Sequence, residues 1–324
     1  MKLSVLIPIL IAVSLIIAGL VFCTCALVTE KFDFSNFGTV KYHTETYTVT
    51  DTFTDIEINV DTDDINFLPA PDGVCKVVCS ETEKLRHSVT VQNGKLMIKI
   101  ADERRWFDHI GIFFGESEMT VYLPEKQLES LTIENDTGDI TVPSDFSFGG
   151  VQIETDTGDI SFNAAVVGNL SFTSDTGNIK IAQNSADKLF LETDTGNISI
   201  ISATVGGITD IETDTGDVKL EDVKGGSLKA ESSTGNITFK NTVLNENIEV
   251  ENDTGDVKFD SSDANEIYVK TSTGDVGGNL LTEKVFITKT ATGNINVPES
   301  TSGGKCKITT STGDINFIYI VRYN

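Results

Sequence analysis

The sequence predicts an all-β protein, a parallel β-solenoid (β-helix) of about ten coils, each 19–20 residues long. The first observation behind this prediction is a Thr-Gly pair that recurs at that spacing. Its glycines stand at positions 138, 158, 177, 196, 216, 235, 255, 274, 293 and 313. A period that drifts by one residue over ten copies indicates that each copy closes the same structural path.

The residues around each glycine supply two further observations. The residue two positions after it is β-branched in every copy: Ile140, Ile160, Ile179, Ile198, Val218, Ile237, Val257, Val276, Ile295 and Ile315. The residues five and seven positions before it are mostly apolar, as in Ile133 and Leu131, and alternate with polar residues such as Glu134. Alternation with a period of two, rich in β-branched residues, predicts half-buried strands and disfavours helices.

Each repeat therefore contains a strand that ends at the D-T-G-D/N corner, a second short strand, and a variable return. Two or three short strands in 19–20 residues are typical of one coil of a parallel solenoid. Ten coils stacked ~4.8 Å apart make a rod of roughly 48 Å. A β-propeller needs about twice this period per blade, and a leucine-rich repeat needs a Leu/Asn signature that these repeats lack.

The repeated corner has a structural and a functional interpretation. In the first, glycine supplies a positive φ, and the neighbouring Asp or Asn bonds back to the backbone as an Asx turn. In the second, stacked carboxylates bind a cation such as calcium. The residue after glycine is Asn in four of ten copies, and the column two residues before it declines to Ser and Ala291. We therefore interpret the corner as a structural turn, with weak, non-selective cation binding as a by-product.

Residues 44–130 are predicted to form a β-rich cap over the N-terminal end of the solenoid, residues 131–324. Val60–Phe67 resembles a degenerate corner in which Asp63 replaces glycine, and Asn93-Gly94 predicts a hairpin turn. The stretch RRWFDHIGIFFG, with the only Trp, is interpreted as a buried loop, and a binding patch is the alternative. A solenoid requires such a cap because its terminal coil is otherwise open.

The N-terminal residues predict a membrane anchor. Leu3–Val28 carries no charge over 26 residues, which is long enough to cross a bilayer as a helix. Phe22 before Cys23 disfavours lipoprotein processing. We therefore predict an uncleaved transmembrane anchor at 1–28, a linker at 29–43, an inner N-terminus, and an extracytoplasmic location for the rest of the chain.

Charge and sequence motifs exclude several functions. The formal net charge of −25 argues against nucleic acid as a partner. Cys75 and Cys79 stand four residues apart in a predicted strand, ~13 Å, too far for a disulfide, and with Cys306 they are interpreted as buried thiols. The histidines, His43, His87 and His109, show no metal-type spacing. The sequence thus assigns no catalytic, cofactor-binding or metal-binding residue and predicts no cofactor.

The segment VYLPEKQLESLTIENDTGDI runs directly into T-D-T-G-D/N-I repeats. A chain with this arrangement resembles the bacterial putative-adhesin domain family of unknown function, a β-strand-repeat family. The resemblance covers roughly Tyr47 to Ile318. It implies an envelope-associated β-solenoid, near cell-envelope stress operons in some relatives, and it brings no catalytic residues with it.

Three functions are open at this point. The first is a non-enzymatic, membrane-anchored scaffold or adhesion module whose partner is a cell-wall polymer or an envelope protein. The alternative is an accessory or sensor component of an envelope-stress response. The third is a carbohydrate-active β-helix enzyme, which would need a non-repeating cluster of reactive side chains on one face.

Overall fold

A computed structural model of the protein describes residues 14–21, 24, 42–102, 117–124 and 126–319. The N-terminal strands are β1 (His43–Val49), β2 (Asp55–Val60), β3 (Asp64–Pro69), β4 (Cys75–Glu81), β5 (Leu85–Gln92), β6 (Lys95–Asp102) and β7 (Glu118–Leu123). The repeats contain β8 (Gln127–Thr137), β9 (Ile140–Val142), β10 (Ser147–Thr157), β11 (Ile160–Phe162), β12 (Ala165–Val166), β13 (Asn169–Thr176), β14 (Ile179–Ala182), β15 (Ser185–Ala186), β16 (Lys188–Thr195), β17 (Ile198–Ile201), β18 (Thr204–Thr215), β19 (Val218–Glu221), β20 (Lys224–Thr234), β21 (Ile237–Lys240), β22 (Val243–Leu244), β23 (Asn247–Thr254), β24 (Val257–Ser262), β25 (Glu266–Thr273), β26 (Val276–Leu280), β27 (Lys284–Thr292), β28 (Ile295–Asn296), β29 (Gly304–Thr312) and β30 (Ile315–Tyr319).

The repeats stack into two parallel sheets, as the sequence predicts. The strand before each Thr-Gly corner joins a 16-stranded sheet, here sheet 2, and the strand after the corner joins a 14-stranded sheet, sheet 1. Equivalent residues of successive repeats lie opposite one another: Ile133 faces Ile153, which faces Phe172. This one-to-one register makes the chain an all-β parallel solenoid of about ten coils.

The core lies between the two sheets and is built from the predicted apolar columns. The β-branched column after the corner is buried in nine of its ten members, from Ile140 to Ile315. Phenylalanines stack in the same direction, with ring centroids 4.9 Å apart for Phe239 and Phe259 and 5.8 Å apart for Phe259 and Phe317. Because each coil buries its apolar side chains against its neighbours, the core is continuous along the stack.

The parallel stacking extends further toward the N-terminus than the repeats. Strand β2 pairs in parallel with β8, and β3 pairs in parallel with β7 and β9. The segment between β2 and β3 is therefore a corner, with Asp63 at the glycine position. Beyond this coil, β1, β4 and β5 pair in antiparallel fashion and end both sheets. The domain boundary at 130/131 stays a prediction.

The C-terminal coils depart from the expected order. The sequence predicts stacking in chain order, but β29 inserts between β25 and β27, and β30 inserts between β26 and β28. The coil of β27 and β28 therefore forms the outer end, and Ile295, at 46% exposure, lies outside the core. One expectation was wrong as a result, because Ile295 is not buried like the other members of its column. Cys306, in β29, lies in the penultimate coil of the stack.

The described N-terminal residues are helical at 14–21 and 24, and Leu15, Ile16 and Leu20 are exposed there. Within the part of the chain that the structure describes, no helix has both the length and the apolar character needed to cross a membrane. Most of the predicted anchor, Leu3–Val28, lies outside the described residues. The RRWFDHIGIFFG stretch, including His109, also lies outside them.

Candidate functional site: the corner ladder and the acidic face

Each corner glycine is required by a close approach between neighbouring coils. A Cβ on Gly216 would lie 1.8 Å from the carbonyl oxygen of Gly196, and at all ten corners the corresponding distance is 1.8–2.2 Å. The sequence attributes these glycines to positive φ, which holds for eight of the ten, with φ from 137° at Gly138 to 157° at Gly216. Gly177 is not among the positive-φ residues, yet its Cβ would meet the same obstacle. Space is therefore the constraint that all ten share.

The Asp or Asn after each glycine forms a continuous hydrogen-bonded column, the corner ladder. Its members are Asp64, Asp139, Asp159, Asn178, Asn197, Asp217, Asn236, Asp256, Asp275, Asp314 and Asn294 in stacking order. The Oδ1 atom of each member accepts a hydrogen bond from the backbone N–H of the next, at 2.7–3.0 Å. The expected Asx turn within one corner was wrong, because this bond joins adjacent coils.

A second polar column lies inside the corner, three residues before each glycine. Thr193 Oγ1 donates to the Gly177 carbonyl at 3.0 Å, and Asn252 Nδ2 donates to the Gly235 carbonyl at 3.1 Å. These side chains are buried and satisfy carbonyls that face the interior. The sequence analysis did not identify this column. The signal was visible, because the third residue before each corner glycine is always Thr, Ser or Asn.

The outward side of sheet 2 carries the acidic side chains, here called the acidic face. It consists of Glu134, Asp136, Glu154, Asp156, Asp175, Glu192, Asp194, Glu212, Asp214, Glu231, Glu251 and Asp253, in register from coil to coil. All but Glu231 are exposed. Carboxylates ~4.8 Å apart repel by about 0.9 kcal/mol in water. The arrangement therefore attracts cations and repels anions.

One part of the acidic face is concave. A groove of about 160 Å³ is lined by Glu212, Asp214, Glu231, Glu251 and Asp253, among others. Burial and then the charges of Glu231 and Glu192 raise the pKa of the Glu212 carboxyl. The acidic run ends where Lys270 bonds Glu251 at 3.2 Å. Two hydroxyls in the groove donate to its carboxylates: Ser233 Oγ to Asp214 Oδ1 and Ser272 Oγ to Asp253 Oδ1, each at 3.3 Å.

The opposite face, on sheet 1, has a different charge. Its outward column holds Ser161, Lys180, Ser199, Lys219 and Lys258 in the same register. Lys180, Lys219 and Lys258 are exposed. Among the described residues, the two faces of the rod therefore differ in charge, and the sheet 2 face is acidic along most of its length.

The structure also brings together four side chains that sequence reasoning did not connect. Asp63, Cys79, Glu81 and His87, here called the N-terminal cluster, are all buried at the end of the core. His87 Nε2 lies 3.1 Å from Asp63 Oδ2, and His87 Nδ1 lies 3.1 Å from Glu81 Oε1. Asp63 at a glycine position and Glu81 at an inward strand position were the signals that could have revealed it.

The electrostatics of this cluster follow from its burial and its hydrogen bonds. Burial lowers the pKa of His87, but hydrogen bonds to Asp63 and Cys79 outweigh this effect and raise the pKa to about 10. Burial raises the pKa of the Cys79 thiol. Tyr47 contacts the cluster, and its hydroxyl donates to Glu81 Oε1 at 2.8 Å. The His87 ring is only 1% exposed, so a polymeric substrate has no access to it.

Among the described residues, the other two cysteines are Cys75 and Cys306. Cys75 and Cys306 are buried and free, as is Cys79, which confirms the expectation of three buried thiols. Burial raises the pKa of Cys75 to about 11 and that of Cys306 to about 12. Both are therefore neutral thiols at physiological pH.

These features define a class of protein, the all-β parallel solenoid with in-register Thr-Gly-Asx corners. The chain belongs to the Toastrack DUF4097 family, whose model matches residues 53–221 and 210–320. The expected resemblance to a bacterial adhesin-type domain family of unknown function is thereby confirmed. No curated protein matches the chain.

Solved structures of similar proteins share little sequence with this chain. A "putative adhesin" from Parabacteroides distasonis is 14% identical, with 87% of this chain and 98% of that chain covered and a TM-score of 0.49. A "putative adhesin" from Bacteroides fragilis is 15% identical over 86% and 97%, with a TM-score of 0.36. One from Parabacteroides merdae is 12% identical over 87% and 98%, with a TM-score of 0.38. Because these TM-scores are all below 0.5, the family assignment rests on the match to the family model.

Proposed function

We propose that the protein is a non-enzymatic, membrane-anchored interaction module of the cell envelope, acting as a scaffold or adhesion module through its acidic face. The observation that carries this proposal is the in-register acidic face on one side of the solenoid. A regular surface of this kind suits a repetitive partner better than a small substrate, since chemistry usually needs an irregular group of side chains.

The partner that fits the acidic face is cationic. Its chemistry is that of a cell-wall polymer or envelope protein that presents amines, or of a polymer carrying bound divalent cations. Steering by the face extends about 10 Å at 0.1 M salt, so binding should weaken as salt rises. Nucleic acid is not a partner of such a surface.

Binding to isolated envelope material tests this proposal. The full-length protein is incubated with cell-wall polymer and with envelope protein fractions, and bound protein is measured by co-sedimentation at several salt concentrations. The test variant combines Glu192→Gln, Glu212→Gln, Glu231→Gln and Glu251→Gln. The matched control combines Lys180→Gln and Lys258→Gln on the opposite face.

We expect the test variant to lose most of the binding and its salt dependence, and the control to bind as the unmodified protein does. Equal binding by all three proteins would show that the acidic face is not the interaction surface. A product released from the polymer during incubation would instead favour the enzyme hypothesis.

The location is a separate part of the proposal. We propose that Leu3–Val28 holds the chain in the membrane, with residues from Thr29 onward outside the cytoplasm. Its support is the uncharged 26-residue stretch. Carbonate extraction of membranes should leave the protein in the pellet, and external protease should degrade it in intact spheroplasts. A soluble protein that begins near Ala26 or Thr29 would contradict the anchor.

A further inference from the structure

The N-terminal cluster contains the donor atoms of a metal site. One thiol sulfur of Cys79, one carboxylate oxygen of Glu81 and one ring nitrogen of His87 lie within 4.8 Å of one another. These atoms come from two sheets: Cys79 and Glu81 point inward from β4, and His87 points inward from β5. Sulfur, nitrogen and oxygen donors therefore converge at one buried point between the two sheets, at the N-terminal end of the solenoid.

The second nitrogen of His87 is held as metal-binding histidines usually are. Nε2 lies 3.1 Å from Asp63 Oδ2. A histidine that binds a metal through one nitrogen commonly donates the other N–H to a carboxylate, which fixes the ring and its tautomer. With the Nε2 proton directed to Asp63, Nδ1, which lies 3.1 Å from Glu81 Oε1, is the nitrogen that would give up its proton to bind a metal. The cluster thus has both a set of ligands and a group that orients one of them.

Asp63 is itself fixed in place. Ser117 Oγ donates to Asp63 Oδ1 at 2.7 Å, and Asn135 Nδ2 donates to the Asp63 carbonyl at 2.9 Å. Asp63 occupies the glycine position of the first corner. The Cβ of every later corner residue would meet the preceding corner, whereas the Asp63 side chain extends toward the N-terminal end and reaches His87.

We propose that Cys79, Glu81 and His87 bind one zinc-class divalent cation, with Asp63 orienting His87. A mixed S/N/O donor set matches Zn²⁺, while Ca²⁺ and Mg²⁺ prefer oxygen donors alone. The three protein donors leave a fourth position, which a water molecule would fill. Binding displaces the proton of the Cys79 thiol and leaves His87 Nδ1 unprotonated, because metal ligands bind in their deprotonated form.

The bound ion would serve as a staple for the N-terminal cap. It would join β4 of sheet 1 to β5 of sheet 2 at the end of the solenoid, where the sheets have no further parallel coil. A closed site of buried ligands contributes its binding free energy to folding, as structural zinc sites do. This site is independent of the acidic face and of the proposed function.

Cobalt provides a probe that reports on the ligands directly. Full-length protein is freed of metal with a chelator, dialysed, and titrated with Co²⁺ and then Zn²⁺. We expect one equivalent of Co²⁺ to bind with a thiolate-to-cobalt absorption band, and zinc to displace it. Saturating zinc should raise the unfolding midpoint by about 5 °C or more, while equimolar calcium should not.

Cys79→Ser is the test variant, and Cys75→Ser is the matched control, because Cys75 is a buried, inward cysteine of the same strand. Cys79→Ser should lose the absorption band and the zinc-dependent shift, and Cys75→Ser should keep both. Circular dichroism of each variant establishes that it is folded. His87→Gln replaces Cys79→Ser if the latter does not fold. No stoichiometric binding by the unmodified protein, or the same band in Cys79→Ser, would overturn the proposal.

Discussion

The Oδ1 atom of Asp139 accepts a hydrogen bond from the backbone N–H of Asp159, one coil further along the stack, at 2.8 Å. The same bond is made by the neutral side chain of Asn178, which accepts from Asn197 N–H at 2.9 Å. The bond needs an oxygen rather than a charge. This relationship explains why Asp and Asn alternate freely in the corner ladder without loss of the fold.

The corner glycine should matter more than the carboxylate beside it. Gly216→Val would place a side chain against the Gly196 carbonyl, where a Cβ alone would be 1.8 Å away, so we expect the variant not to fold. Asp217→Asn keeps the acceptor for Asn236 N–H and should change stability by less than ~0.5 kcal/mol. Thermal unfolding followed by circular dichroism measures both. A Gly216→Val protein as stable as Asp217→Asn would contradict the close-approach argument.

The buried β-branched column offers a test with an internal control. Val218 is buried, so Val218→Asp places an unpaired charge in the core and should cost more than ~4 kcal/mol. Ile295 belongs to the same sequence column but is 46% exposed in the outer coil. Ile295→Asp should therefore cost less than ~1 kcal/mol. Urea unfolding of both variants measures the difference. Equal destabilisation would mean that Ile295 is buried, as it would be if the coils stacked in the order of the chain.

In the polar column three residues before each corner glycine, some hydroxyls should stabilise the fold and others should not. Thr193→Val removes the donor to the Gly177 carbonyl and should destabilise the protein by about 1 kcal/mol. Thr155 is equally buried, but its hydroxyl has no hydrogen-bond partner. Thr155→Val should therefore be neutral or stabilising. Denaturant unfolding of the two variants distinguishes them, and the same loss in both would show that Thr155 has an unrecognised partner.

The acidic face should make stability depend on pH and salt through Glu212. Its folded pKa is raised, mainly by burial and then by Glu231 and Glu192. The folded state thus binds the proton more tightly, so stability is greatest below the unfolded pKa of about 4.5 and declines as pH rises through the folded pKa. Glu212→Gln should raise the unfolding midpoint at pH 7 but not at pH 4, and 1 M salt should reduce the gain. A gain of equal size at both pH values would rule out titration as its cause.

Calcium should not be required by the corners. Each ladder Oδ1 is already engaged by a backbone N–H, as Asp217 Oδ1 is by Asn236 at 2.7 Å. On metal-free protein at constant ionic strength, we expect 1 mM calcium and 1 mM magnesium to shift the unfolding midpoint equally. A sharp increase with calcium alone would show that the corners coordinate it.

The sequence by itself determined the coil, its two strands, its buried column and its acidic outer columns. These features repeat every 19–20 residues, and identical local rules produce identical local structure at each copy. Even the degenerate corner at Asp63 could be recognised, because Ile65 follows it at the same offset as Ile140 follows Gly138.

Only the tertiary structure decided the features that depend on neighbours distant in the chain. The inserted C-terminal strand leaves Ile295 exposed, and no local pattern distinguishes Ile295 from Ile315, because both satisfy the same alternation. Cys79, Glu81 and His87 lie outside the repeats, so no period marks them, and they meet Asp63 because antiparallel strands fold over the end of the stack. The repeats predict contacts between residues at the same position of neighbouring coils. Contacts between residues at different positions depend on how the strands at each end of the solenoid pack over its terminal coil.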